Sequence, residues 1–373
     1  RCVGADDLTL SLFENQYPVQ PMGVSYNSYL ILDEKIAVMD SVDARAADEW
    51  LAKLAHELDG RSPDYLVISH MEPDHSGSIL RLAEKYQEMK LVGNTKTFTM
   101  LRQFFGAKAP TDDRLLEVGE GETLPLGAHT LHFMLAPMVH WPEVMVAYEE
   151  TEKLLFSADA FGRFGALSRT AGAPWAPQAR RYYYNIVGKY GAQVQALLKK
   201  ASALEIKTVC PLHGPVLTGE ALGEALRLYD LWSRWQSESP DDILLAHASI
   251  HGNTARAAEL FKQKLEAKGA RVTLCDLTTT EVSYAVANAF YCGKLVLACS
   301  TYDGGLFPPM EEFLSHLQAK GFRDRSVGLM ENGSWAPAAA RLMRAKLEEM
   351  KDLRVCGTVV SLRSALSPAS EAQ

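Results

Sequence analysis

Tyr65-Leu-Val-Ile-Ser-His-Met-Glu-Pro-Asp-His-Ser-Gly77 carries four residues able to bind a metal, His70, Glu72, Asp74 and His75, between a strand and a helix. Tyr65 to Ser69 is an apolar, β-branched run of strand length, and the segment from Asp74 onward opens a helix. A strand end leading into a helix is where α/β folds commonly place binding chemistry. Pro73 holds the turn extended, so alternate side chains can point at two adjacent metal positions, whereas a helix would spread them around its circumference. Capped helix starts also use acids and histidines, and Asp74 makes a good N-cap, so the segment alone leaves both readings open.

Working outward, strands are predicted over 28–32 and 35–39, an amphipathic helix over 45–58, a helix from Asp74 through 84–88, a strand over 90–92 and a helix over 95–105. Such alternation argues for α/β layers. A β-rich stretch over 115–156 follows, with turns at Gly119-Glu-Gly121 and Gly127, then a helical hairpin over 178–203 and an amphipathic helix over 222–235. Three more ligand types lie just beyond predicted strands: His140, Asp159 and His213. Strand ends on one edge would gather four imidazoles and three carboxylates. His56, His129, His132, His247 and His316 fit no ligand pattern and are expected to be ordinary partly buried or surface residues.

The polar Gln236-Ser-Glu-Ser-Pro-Asp241 reads as a linker, which divides the chain into domains 1–238 and 239–373. Beyond it, strands over 243–248, 271–275, 294–299, 326–330 and 355–360, each but the last leading into a helix, describe a doubly wound parallel sheet. Ser249-Ile-His-Gly-Asn-Thr254 opens a helix with hydroxyls, a glycine and backbone N–H groups that suit a phosphate, although an ordinary capped helix would use similar residues. Two later loops, Ser300-Thr-Tyr-Asp-Gly-Gly-Leu306 and Glu331-Asn-Gly-Ser-Trp335, combine glycines with an aromatic able to cover a flat ring; Tyr302 and Trp335 also fit as core or surface residues. No G-x-G-x-x-G pattern points to a dinucleotide.

His-x-Glu-x-Asp-His followed by His140, Asp159 and His213 resembles the diiron domain of flavodiiron proteins, which has the metallo-β-lactamase fold. The zinc hydrolases of that fold carry His-x-His-x-Asp-His, so Glu72 stands where they have histidine. A carboxylate in place of an imidazole makes the site harder and more suited to iron, and zinc has no accessible second oxidation state. The resemblance implies a metallo-β-lactamase-like αββα sandwich followed by a flavodoxin-like doubly wound sheet. It implies one iron on His70, Glu72 and His140, another on Asp74, His75 and His213, and Asp159 bridging them, with Tyr26, Asn27, Trp141, Phe161 and Gly162 shaping the pocket.

The second-half loops resemble those that hold FMN in flavodoxins. Ser249, His251, Gly252, Asn253 and Thr254 would take the phosphate; Ser300, Thr301, Tyr302, Asp303, Gly304, Asn332, Gly333, Ser334 and Trp335 would surround the ribityl chain and ring. The implied activity is reduction of O2 to water or NO to N2O, with no decision between the gases. Electrons would come through FMN from a separate donor such as rubredoxin or a reductase, in a head-to-tail homodimer or homotetramer that sets one subunit's FMN beside its partner's irons. The alternatives are a binuclear zinc hydrolase fused to a flavodoxin domain, and an electron-transfer flavoprotein with a vestigial metal domain.

Composition agrees with this class. The 373 residues are 47% hydrophobic and 23% charged, as in ordinary globular proteins, and are enough for two cores. A net charge of −8 argues against nucleic acid, and no apolar run approaches the ~20 residues of a membrane span. The six cysteines form no C-x2-C pair and read as buried reduced thiols of a cytoplasmic protein. The chain begins at Arg1 without methionine, which suggests that residues are missing there.

Overall fold

The computed structural model describes all residues from Arg1 to Gln373. Contacts divide them into two compact units, Arg1–Tyr183 with Ala192–Asp230, and Tyr184–Gly191 with Leu231–Gln373.

The first unit is a sandwich of two sheets. One runs in chain order through Tyr29–Ile31, Ala37–Met39, Tyr65–Val67, Lys90–Gly93 and Leu115–Glu117; the other through Thr123–Pro125, Thr130–Leu135, Met145–Glu149, Leu154–Phe156, Thr208–Cys210 and Leu217–Thr218. Their apolar faces meet in one core, in which Ala37, Met39, Val67 and Val92 of the first sheet pack with Leu131, Phe133, Met145, Ala147 and Phe156 of the second. This is the layered arrangement of the αββα fold. Helix Ala47–Leu58 buries Trp50, Leu54 and Leu58, one stripe at helical spacing, while Asp48 and Glu49 in its first turn complement the helix dipole. Helix Thr95–Phe105 starts where Asn94 accepts from the N–H groups of Lys96 and Thr97.

In the second unit the strands lie in the order Val272–Asp276, Ser239–Ala248, Cys292–Tyr302, Ser326–Asn332, Arg354–Leu362, all parallel. The first strand in sequence is thus second in space, the flavodoxin-like order. No helix is long and apolar enough to cross a membrane.

Several local expectations are corrected. The helix from Asp74 is two, Pro73–Ser76 and Ile79–Lys85, interrupted at Gly77. A Cβ at Gly77 would lie 2.6 Å from the Pro73 carbonyl oxygen and 2.9 Å from the Ala44 nitrogen, so close backbone approach requires glycine. The hairpin over 178–203 is instead a contiguous helical run, Trp175–Tyr182, a π-turn at Tyr183–Val187, a 3-10 turn at Gly188–Tyr190, then Gly191–Ala201. The linker's end is already strand from Ser239, with a register shift before Ile243 that accommodates Pro240. The last strand leads into a short capped helix, Pro368–Glu371. Cys2 and Cys356 are exposed rather than buried, and all six thiols are free.

Candidate functional site

Strand ends deliver the ligand-type side chains of the first unit. His70 follows Tyr65–Val67, and its backbone is held by Asp40, whose carboxylate accepts from the N–H groups of Ser69 at 2.7 Å and His70 at 3.3 Å. Glu72 precedes Pro73, and Asp74 and His75 ride on the short helix that Pro73 opens. His140 sits between Thr130–Leu135 and Met145–Glu149. Asp159 and His213 follow Leu154–Phe156 and Thr208–Cys210, which pair in parallel and so bring both residues to one edge. Asn27 clamps the His213 loop, its Nδ2 donating to the carbonyls of Pro211 at 2.8 Å and Gly214 at 2.7 Å.

The seven side chains form two groups, His70, Glu72, His140 and Asp159 in one and Asp74, His75 and His213 in the other, with the ligand atoms of each group within 4.8 Å of one another. Asp159 faces both. Its Oδ2 lies 3.1 Å from His140 Nε2 and 3.5 Å from His70 Nε2, while Oδ1 lies 3.1 Å from His75 Nε2 and 3.7 Å from His213 Nε2. Glu72 Oε2 is 3.1 Å from Nε2 of both His70 and His140. Asp74 Oδ2 is 3.3 Å from His75 Nε2 and 3.2 Å from His213 Nε2, and those two ring nitrogens face each other at 3.0 Å.

Such a cluster is costly without a counter-charge. Both oxygens of Asp74 and Oδ1 of Asp159 are buried with no hydrogen-bond donor. The facing nitrogens of His75 and His213 can share only one proton. A pair of cations satisfies all of these groups, and imidazole with carboxylate is a donor set that suits iron. In the metal-free protein, protons supply the positive charge instead. Burial opposes protonation of His140, but its hydrogen bonds to Asp159 and Glu72 outweigh this and push it up to about 9. At His75 burial is likewise outweighed, by the charges of Asp74 and Asp159, giving about 8. Burial alone would raise Asp159, yet its histidine neighbours hold it well below the carboxylate range.

Of the expected pocket residues, Trp141 packs with its ring centroid 5.3 Å from that of His70, and Tyr26 lies 6.0 Å from His213. Gly162 makes room for Tyr182, since a Cβ there would come within 3.2 Å of the Tyr182 ring. Phe161 stacks on Tyr229 at 4.2 Å. Three residues escaped the sequence reading. Glu143, buried, accepts from His70 Nδ1 at 2.7 Å and from the Met71 N–H at 2.9 Å. The buried Tyr182 hydroxyl has no hydrogen-bond partner, and its ring lies 5.5 Å from His213. Glu14 occupies a left-handed hairpin position, where partial burial and the Glu72 carboxylate push it up to about 7. An acid three residues after His140 was a readable signal for Glu143; one tyrosine in the run Tyr182-Tyr-Tyr184 was not. Among the other histidines, His129 pairs with Asp33 and His132 with Glu150, while His247 is buried in the second unit.

In the second unit a cavity of 490 Å³ is lined by Ser249, His251, Asn253, Thr254, Ser300, Thr301, Tyr302, Asp303, Gly304, Asn332, Gly333, Ser334 and Trp335, together with the unanticipated Ile250, Ala336 and Ser364. Gly252 does not line it; it caps helix Asn253–Glu266 at φ 86°, which only glycine adopts freely. The three loops are tied together: Thr254 Oγ1 and Ser300 Oγ are 2.8 Å apart, and Asn332 Nδ2 donates to Thr254 Oγ1 at 3.2 Å. Trp335, 87% exposed, is available to cover a ring. The helix N-terminus and hydroxyls fit a phosphate, and the volume fits a cofactor-sized ligand.

Residues 24–214 match the family model described as ODP family beta lactamase. The chain is 27% identical over 358 residues to the rubredoxin-oxygen oxidoreductase of Megalodesulfovibrio gigas, covering 93% of this chain and 87% of that protein. It is also 27% identical over 358 residues to a nitric oxide reductase of Moorella thermoacetica, covering 94% and 88%. The crystal structure of the flavodiiron protein from Giardia intestinalis is similar with a TM-score of 0.91 and 25% identity, covering 100% of this chain and 91% of that one. A family match over half the chain, joined to likeness along its whole length, establishes that this chain belongs to the ODP beta lactamase family and to the flavodiiron proteins.

Proposed function

We propose that this protein is an oxidoreductase that reduces O2 to water, NO to N2O, or both, at a non-haem diiron site, with electrons relayed through FMN. The observation that carries this is Glu72 within a seven-residue cluster in which Asp159 faces both ligand groups. In this reading His70, Glu72 and His140 would hold one iron and Asp74, His75 and His213 the other, with Asp159, whose two oxygens face both groups, serving both. The bound irons and FMN supply the electrons for either gas. Protein groups do the rest. Asn27 fixes the His213 loop, Trp141 and Tyr26 shield the pocket, and the Tyr182 hydroxyl offers a buried hydrogen-bond donor beside it. In the second unit, Ser249, His251, Asn253 and Thr254 would hold the FMN phosphate at the N-terminus of helix Asn253–Glu266, which Gly252 caps, and Tyr302 and Trp335 would cover the ring.

We also infer a division of labour between a diiron domain over 1–238 and an FMN domain over 239–373, a separate donor such as rubredoxin or a reductase, a head-to-tail homodimer or homotetramer, and a cytoplasmic location. A zinc hydrolase is disfavoured by Glu72. Metal analysis of the purified protein tests the reading: two irons with one FMN are expected, and two zinc ions, or flavin without metal, would overturn it. Anaerobic stopped-flow of the fully reduced protein against O2 and against NO then identifies the preferred gas.

A further inference from the structure

The two ligand groups differ in what stands behind their histidines. His70 Nδ1 donates at 2.7 Å to Glu143 Oε1, a carboxylate 1% exposed, and His70 is its ion-pair partner. Glu143 is held in register from both sides, by the Met71 N–H on its carboxylate at 2.9 Å and by Asn94 Nδ2 on its backbone carbonyl at 2.6 Å. On the other side of the cluster, His213 Nδ1 donates at 2.6 Å to the carbonyl of Ser25, a neutral acceptor, and the buried His75 Nδ1 has no hydrogen-bond partner. The two hydrogen bonds are of similar length, so the difference between them is charge.

We propose that Glu143 is a positioning residue that makes the two metal positions electronically unequal, lowering the reduction potential at the His70, Glu72 and His140 position relative to the Asp74, His75 and His213 position. A buried carboxylate drawing on the Nδ1 proton enriches the opposite ring nitrogen in electron density and stabilises the more highly charged ion bound there. A neutral carbonyl does this less. With iron bound, the first electron passed to a redox mediator would come from the His70 position, and a single mixed-valent form would accumulate.

The inference rests on the iron reading of the site, so iron content of the parent protein is measured first. Potentiometric titration followed by the EPR signal of the mixed-valent state then compares the parent with Glu143→Gln, which keeps an acceptor oxygen and the side-chain shape but removes the charge. The lower of the two one-electron potentials is expected to rise more than the upper, and the comproportionation constant to fall about tenfold, or about 59 mV. Couples that do not move, or that move equally, in an iron-loaded variant overturn this inference alone. Zinc in place of iron in the parent overturns the reading of the site and this inference with it.

If Glu143→Gln fails to fold or to load both irons, Glu143→Asp with a cobalt(II) titration serves instead. One of the two cobalt sites is expected to weaken about 10- to 100-fold with the other unchanged. Equal weakening of both sites, or none, counts against the proposal.

Discussion

At the scale of single residues, Glu72 carries the metal preference. Glu72→His recreates the ligand pattern of the zinc hydrolases, so the ratio of bound iron to zinc is expected to fall and reductase activity to be lost while FMN is retained. Unchanged iron content by elemental analysis would contradict that role. The site histidines also set a pH dependence. His140 at about 9 and His75 at about 8 in the metal-free protein lie above the ~6.5 of an unfolded chain, so their contribution to stability is complete below that value and is lost as pH rises through 8 to 9. Calorimetry of metal-free protein should therefore show Tm falling over this window. Because metal binding must release the same protons, metal affinity should rise across it. A metal-free Tm that climbs from pH 7 to 9 would refute this account. Tyr182→Phe removes the unpartnered hydroxyl; both metals should remain, with kcat reduced about tenfold or more.

At the scale of elements, the site depends on loops that leave strand ends and are tied from afar. Asn27→Ala deprives the carbonyls of Pro211 and Gly214 of their donor and is expected to cost about 1–3 kcal/mol, together with metal lost from the group containing His213. Thermal unfolding and metal analysis of that variant would measure both, and full stability with full metal content would show the clamp to be passive. Strand ends were legible because apolar runs such as Tyr65 to Ser69 stop at polar ligand types. The break at Gly77 was not, since the glycine is visible but the crowding by Pro73 and Ala44 that demands it is not. The π-turn at Tyr183–Val187 was hidden for a similar reason, because apolar spacing does not distinguish a helix that changes its winding from one that turns back.

At the scale of the whole molecule, the proposed head-to-tail assembly makes turnover depend on concentration. Light scattering should give a dimer or tetramer, and activity per subunit, with donor saturating, should fall on dilution past dissociation. Constant activity from a monomer would rule that assembly out. The identity of the chemistry was written locally: ligand types at strand ends, an acid at position 72, and hydroxyl and glycine loops after parallel strands are features of short segments, readable without knowing what they meet. Their grouping was not. Glu143 reaches a histidine 73 residues away and Ser25 one 188 residues away, and Asp159 divides its two oxygens between two sets of imidazoles. Those relations exist only once two sheets have packed and brought their strand ends to one edge, because an imidazole's second partner is chosen by proximity in space and leaves no trace in the spacing of the chain.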